Sequence, residues 1–399
     1  MPQYYYTAKA REKNREVSDI ISATDKKELA SKLRREGLLL LKAEEVNENL
    51  ISFGSKVSLK DKIFFTRNLQ VMLSGGLSLS RTLSIIAVQT KNKNLRNALI
   101  DVREEVQKGN SFSEALDKYP DIFSKMFRSV IKLSQETGKM EENLEILTEQ
   151  LKKEYELKSK VRGALIYPAV IVFAMGIVGV AMLVLVVPQL AQTFESMNTE
   201  LPITTRFFIG LGAFLGNNWL LMIFLIVVLI FILKKAVKTE GGKRALDYLL
   251  LRTPLFSSVV KKTNTASVSR TLNSLLSSGV SLVRGLDIVS DSVSNIYFRD
   301  ALKEAAEEIK EGERLSSALY PYTDLFSSLM VQMIEVGEET GETSKVLSEV
   351  SDFMEEEVFA LTKNLASVIE PVLMILIGGA VGFFAFSMLI PIYSLLEVL

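Results

Sequence analysis

Three runs of the chain carry no charged residue: 163–194, 207–233 and 371–396. Each exceeds the roughly 20 apolar residues that a helix needs to cross a ~30 Å hydrocarbon core, so the pattern predicts three transmembrane helices. Their expected extents are 163–190, 207–233 and 371–396, with a short external or periplasmic loop at 191–206. Between residues 60 and 160 the apolar positions instead follow helical spacing, broken at Gly75-Gly76, Gly109-Asn110 and Gly138 and at two polar turns. That is the pattern of six short helices.

The segment ahead of the first span recurs after the second. Arg67 and Arg270, Gly76 and Gly279, Arg81 and Arg284, Gly138 and Gly341, Pro168 and Pro371, and Pro188 and Pro391 are each 203 residues apart. "RNLQVMLSGGLSLSRTL" (67–83) lies over "RTLNSLLSSGVSLVRGL" (270–286) without a gap. The repeating unit is a block of about a hundred residues followed by one span; the second span has no counterpart and returns the chain so that both copies keep one orientation. Basic residues crowd the segment after the second span, whereas the loop between spans one and two holds only Arg206. Basic loops stay cytoplasmic, so 1–162 and 234–370 are expected inside and the C-terminus outside.

The first 46 residues read differently, with strand candidates at 4–10, 15–23 and 38–46 and a helix over 24–37 closed by Gly37. The expected fold is an all-α integral membrane protein: a small N-terminal α/β module (1–55), two homologous cytoplasmic six-helix bundles (56–162 and 234–370) and three transmembrane helices.

Within each bundle, Ser111 and Glu114 form a capping box whose counterparts are Arg314 and Ser317, and Asp121 and Asp324 are expected to cap the fifth helix. Its core face is expected to run through Phe123, Met126, Val130 and Leu133, and in the copy through Phe326, Leu329, Met333 and Val336. Pro168, Pro188, Pro371 and Pro391 read as punctuation at the membrane edges, 20 residues or about 30 Å apart in each pair.

Composition excludes much chemistry. The chain has no cysteine and no histidine, which removes thiolate catalysis, the serine and cysteine triads and almost every zinc site. Its 47 basic and 47 acidic residues cancel, so nothing argues for nucleic-acid binding. "TEGGKRAL" lacks the spacing of a phosphate-binding loop, and no catalytic or cofactor-binding residue is expected. One repeated feature resists a bland account: "QETG" (135–138) returns as "EETG" (338–341). Gly138 and Gly341 fit as left-handed helix ends, but Glu136 and Glu339 stand in a last turn whose dipole opposes them. Pairing with Arg67 or Arg270, a divalent cation, or another subunit are the alternatives.

The stretches 163–206, "SRTLNSLLSSGVSLVRGL" (269–286) and "IEPVLMILIGGAVGFFAFSMLIPIY" (369–393) resemble the inner-membrane platform proteins of type IV pilus assembly and type II secretion, the F-protein family. The resemblance runs from about residue 4 to the end, with Thr205 and Ser278 as departures. It implies a non-enzymatic, homo-oligomeric protein of the inner (cytoplasmic) membrane. It further implies that a cytoplasmic assembly or secretion ATPase, pilin or pseudopilin subunits and other inner-membrane machine components are the partners. A small-solute channel or transporter and a membrane-anchored signalling scaffold are the alternatives; spans without internal charge give a transport pathway little to work with.

Overall fold

The computed structural model describes residues 3–10, 16–35, 37–46, 56–188 and 218–396, with isolated positions 192, 206, 210, 212–214 and 216. The expected external loop at 191–206 falls outside the described residues except at 192 and 206, as does most of 207–217.

Strands β1 (Gln3–Ala10), β2 (Glu16–Ser22) and β3 (Leu38–Val46) form an antiparallel sheet of order β2-β1-β3, with helix α1 (Lys26–Arg35) between the last two in sequence. Alternation puts Tyr4, Tyr6 and Ala8 of the central strand on one face, where they bury against Leu29 and Leu33 of α1. Gly37 takes φ 75° and turns the chain from α1 into β3, a conformation that a Cβ would penalise.

The first helical repeat comprises α2 (Leu59–Ser74), α3 (Leu79–Gln89), α4 (Lys93–Gln107), α5 (Phe112–Asp117), α6 (Lys125–Thr137) and α7 (Met140–Ala181). Then come α8 (Trp219–Lys238) and α9 (Glu240–Arg252). The second repeat comprises α10 (Pro254–Ser277), α11 (Leu282–Ser292), α12 (Ile296–Lys310), α13 (Leu315–Leu319), α14 (Ser328–Thr340) and α15 (Thr343–Leu396). Helices α3, α4 and α6 begin and end 203 residues before α11, α12 and α14. The caps obey the same offset: Asn92 and Asn295 accept from the amides of the first turn, as do Ser124 and Ser327. Both repeats contribute to one hydrophobic core, from Phe65 and Leu69 in α2 through Phe298 in α12 to Met354 in α15.

Three expectations need correction. Asp121 and Asp324 do not cap the fifth helix of each repeat; Ser124 and Ser327 do. Phe123 and Phe326 are buried in the turn just before, Phe123 with its ring 5.6 Å from that of Phe65, so the helix starts only after them. The core face consequently shifts. Met126, Phe127, Val130, Ile131 and Ser134 are buried in α6, and Met330, Val331, Ile334 and Gly337 in α14, while Leu329 and Val336 are exposed. Finally, Pro168 and Pro371 lie inside α7 and α15, so neither begins a helix. Pro188 follows a π-helical turn, Met182–Val186. The carbonyl four residues before that proline belongs to Val184, inside the turn, whose extra residue widens the coil and makes room for the ring.

Candidate functional site

The repeated turn is built almost entirely from backbone demands. Gly138 and Gly341 have φ 73° and 75°, closing α6 and α14 in the left-handed conformation. The threonine beside each glycine donates its hydroxyl one turn back, Thr137 to the Leu133 carbonyl at 2.8 Å and Thr340 to the Val336 carbonyl at 2.9 Å.

Glu136 and Glu339 are exposed, and neither forms an ion pair among the described residues. Solvent around an exposed carboxylate screens its opposition to the helix dipole, which is why the position tolerates an acid. Neither arginine weighed as a partner reaches them. Arg67 is exposed, and Arg270 is buried against Glu355 of α15. Among the described residues no cluster of three or more carboxylates could hold a metal ion.

The side chains with work to do are their neighbours, Gln135 and Glu338. In the first repeat Gln135 Oε1 accepts from the Ser113 amide at 2.8 Å, beside the Ser111–Glu114 capping box of α5. The second repeat has no box, and Glu338 replaces it from the neighbouring helix. Its carboxylate accepts from the Leu315 amide (2.6 Å), the Ser316 amide (3.1 Å) and the Ser316 hydroxyl. A second recurring bond escaped the sequence reading. Tyr119 Oη donates to Asp101 Oδ2 at 2.7 Å, and its counterpart Tyr322 bonds Glu304; burial first, then these carboxylates, push the Tyr119 phenol up and that of Tyr322 up to about 12. All four residues obey the 203 offset, which is the signal that could have found them.

Between the repeats lies a polar seam. Gln150 of α7 donates to Thr271 Oγ1 at 3.1 Å and accepts from Ser274 Oγ at 3.0 Å, both on α10. Lys153 of α7 pairs with Asp352 of α15 at 3.0 Å, and Lys125 of α6 with Asp291 of α11 at 2.6 Å. A cavity of about 240 Å³ opens here, lined in part by Gln150, Lys153, Arg270, Ser274, Ser277 and Asp352. Burial pushes the Arg270 guanidinium below its ordinary value, and the carboxylates of Glu154 and Asp352 act in the opposite direction. The seam is net-neutral ionic packing, with no nucleophile–base pair and no cluster of like charge to bind an anion.

Of the other singled-out residues, Arg81 and Arg284 are exposed, and Gly76 and Gly279 take φ 77° and 89° at the turn after α2 and after α10. Pro391 falls within α15. Above the seam α7 continues without a break into an apolar stretch whose side chains are bare, Phe173 and Val170 among them. Among the described residues two helical stretches are long and apolar enough to cross a membrane, Met140–Val186 and Leu220–Val237, and the apolar window of neither is buried.

Comparison with known proteins agrees with this arrangement. The family model for type II secretion system (T2SS) protein F matches twice, at residues 65–188 and 268–391, which are again 203 apart. Type IV pilus assembly protein PilC of Thermus thermophilus is 36% identical over 406 residues, covering 100% of this chain and 99% of the relative. PilC of Pseudomonas aeruginosa is 32% identical over 91% of this chain and 97% of its own length. Type II secretion system protein F of Aeromonas hydrophila is 31% identical over 92% and 97%. With two copies of the family unit and full-length relatives on both sides of that naming, the chain belongs to the type II secretion system protein F family.

Proposed function

We propose that this chain is the inner-membrane platform of a type IV pilus or type II secretion machine, coupling a cytoplasmic assembly ATPase to the extraction and polymerisation of pilin or pseudopilin subunits. The observation that carries the reading is that α7 and α15 are each one continuous helix from the shared core into an apolar stretch. A helix rises 1.5 Å per residue, so α7 alone is a rod of about 60 Å. A displacement imposed on the bundles by an ATPase passes along such rods to the spans without a flexible joint.

The platform has two six-helix bundles, at 56–162 and 234–370, and three spans, the third being 371–396 within α15. The N-terminus and both bundles face the cytoplasm and the C-terminus faces outward. It performs no catalysis of its own, and the N-terminal α/β module (1–55) is the part that meets the ATPase. The relatives named for pilus assembly and for secretion support the assignment to such a machine.

The test is deletion of the gene with complementation by altered chains. Loss of surface fibres or exported protein on deletion, restored by the unaltered chain, is the expected result; fibres and export that persist without the gene would refute the proposal. Insertion of a Gly-Gly-Ser linker after Arg162 should abolish assembly while both repeats remain folded in the membrane. Removal of residues 1–55 should abolish recruitment of the ATPase to membranes.

A further inference from the structure

Helix α9 belongs to neither copy of the repeat. The second match to the family unit begins only at residue 268, and the positions 203 residues before α9, 37–49, carry β3. The contacts that hold α9 are therefore its own. Thr239 alone separates it from α8, and the Thr239 hydroxyl caps it by accepting from the Gly242 amide at 3.2 Å. At Gly242 a Cβ would lie 2.1 Å from the Ala236 carbonyl oxygen, so only glycine lets α9 start this close to α8. The inner face of α9 rests on α12: Asp247, buried, accepts from the Ile296 amide at 2.9 Å, and Arg244 pairs with Asp300 at 2.8 Å.

Both ends of α9 come out near the level at which the helices turn apolar. Glu240 follows the charge-free run of α8, which ends at Leu233, by seven residues or roughly 10 Å of chain at helical rise. The other end leads into α10, which runs antiparallel to α15: Lys262 pairs with Glu357, and the Ser351 hydroxyl donates to the Ala266 carbonyl at 3.3 Å. Eight residues back from Lys262, Pro254 stands opposite about residue 365 of α15, roughly 9 Å of helix short of the charge-free run at 371–396. The 13 residues of α9, about 20 Å of helix, thus join two points of similar height, so α9 lies across the second bundle rather than along it. Its outer face is apolar: Leu246 and Leu249 are 38% and 63% exposed, with Ala245 exposed beside them. Cations frame that face. Lys234 and Lys235 near the end of α8, with Lys243 and Arg252 of α9, form no ion pair among the described residues, and the Arg252 guanidinium stands 5.4 Å over the Tyr248 ring. Of the two acids in α9, Asp247 is turned inward and Glu240 sits in the first turn, where the helix dipole favours it.

We propose that α9 lies in the cytoplasmic headgroup layer of the bilayer, with Leu246 and Leu249 turned toward the acyl chains and Arg252, Lys243, Lys234 and Lys235 among the phosphates of anionic lipid. The placement rests on α8 being a span that ends in the cytoplasm, as under the proposed function. A helix with its side chains has a radius of ~5–6 Å, so the outer face of α9 reaches within ~5 Å of the hydrocarbon edge, inside a headgroup layer ~5–8 Å thick. Charge selects the occupant. Four cations without carboxylate partners, set around an apolar stripe beside a span, complement a layer that carries phosphates above hydrocarbon. Seated so, α9 braces the start of α12 against the membrane and fixes the height of the second bundle beneath it.

The chain has no native cysteine, so single cysteines can carry a polarity-sensitive bimane label in the full-length protein. The positions are Leu249→Cys in α9, Leu229→Cys in the α8 span, and Val336→Cys, exposed in the last turn of α14. Each chain is reconstituted in vesicles of phosphatidylcholine with about 30 mol% phosphatidylglycerol, and in vesicles of phosphatidylcholine alone. In the anionic vesicles the label at 249 should be quenched by lipid bearing a nitroxide at the top of its acyl chain, and quenched by aqueous iodide at least ~3-fold less than the label at 336. Lipid quenching at 249 should fall by about half or more in phosphatidylcholine alone, at about 0.5 M salt, or with Arg252→Gln and Lys243→Gln added, while quenching at 229 stays unchanged. A label at 249 open to iodide, beside a lipid-quenched 229, would leave α9 in water. One shielded from both quenchers would place protein on that face, and quenching indifferent to lipid charge and to the two substitutions would remove the headgroups as its partner. Each of these overturns the proposal with the span intact. A label at 229 that escapes the lipid quencher would remove the span itself, and with it both the platform function and the seat of α9.

Discussion

Replacing Glu338 with alanine removes the acceptor for two amides and one hydroxyl at the start of α13. The helix has only five residues and no capping side chain of its own, Arg314 standing at the cap position. Loss of a cap costs ~1 kcal/mol and up to ~2, and hydrogen bonds to a charged group contribute ~1.5–3 kcal/mol each. These overlap, so a local cost of ~2–4 kcal/mol is expected. Hydrogen exchange at the Leu315 and Ser316 amides should then accelerate by ~30- to 1,000-fold, with α3–α6 unaffected. Glu338→Gln should cost less, because one amide oxygen suffices for Gln135 at the same place in repeat one. Adding Arg314→Ser and Ser317→Glu to Glu338→Ala installs the capping box found at Ser111 and Glu114, and should recover ~1–2 kcal/mol. Unchanged exchange in Glu338→Ala would refute the capping role. Faster exchange that the installed box does not slow would show that the loss lies elsewhere.

Two identical residues should behave oppositely: Arg270→Ala strands the part-buried Glu355 carboxylate and should cost ~3 kcal/mol in denaturant unfolding, whereas Arg67→Ala, at an exposed position, should stay within ~0.5 kcal/mol. Gly337→Ala brings a Cβ to 3.1 Å from Thr343 Cα and Val346 Cγ2 and should lower the melting temperature by an amount equivalent to ~1–3 kcal/mol. Gly337→Ser combined with Val346→Asn should be milder than Gly337→Ser alone, because it rebuilds the Ser134–Asn143 bond of repeat one, 2.9 Å long. Lys118 first, then Lys108 and Asn110, hold the Glu105 carboxylate at about 2, below its ordinary 4.5. A depressed folded-state pKa contributes stability above 4.5 that is lost as pH falls toward 2, so Glu105→Gln should flatten melting temperature against pH across that window.

The offset of 203, the left-handed glycines and the N-terminal sheet were legible because each rests on local rules: register, backbone sterics, and alternation. The start of α6 was not. Asp121 and Ser124 are both good caps three residues apart, and the choice falls to Ser124 because Ile122 and Phe123 are needed in the core. Glu338 and Glu339 posed the same difficulty. Adjacent side chains on a helix point about 100° apart, and only the position of α13 decides which of them is used. Pro168 reads as a boundary from sequence because proline costs an internal hydrogen bond; a helix anchored by a packed core below and continuing into an apolar stretch above tolerates that loss. The seam left the weakest trace, since exchanges such as Gln150 for Phe353 or Ser274 for Val71 look like ordinary drift until burial shows where they sit.

Comparing the copies separates what the fold requires from what position requires. Gly138 and Gly341, Ser124 and Ser327, Asn92 and Asn295, and the Tyr119 and Tyr322 bonds recur because each repeat must close the same turns. Ser134 with Asn143 gives way to Gly337 with Val346, a hydrogen-bonded polar pair for a glycine with no room for a Cβ beside Thr343 and Val346. Arg67 and Arg270 make the opposite case, since the residue is kept while its surroundings are exchanged, water for the part-buried Glu355 carboxylate. Identity between copies therefore does not mark a shared task. Difference in burial does mark a difference in task, and it concentrates on the faces that join the repeats. The two copies meet through unlike helices, α6 and α7 of the first against α10 and α11 of the second, so equivalent positions in the two copies differ in burial. Gln150 and Ser274 are buried in that contact, while their counterparts Phe353 and Val71 are exposed.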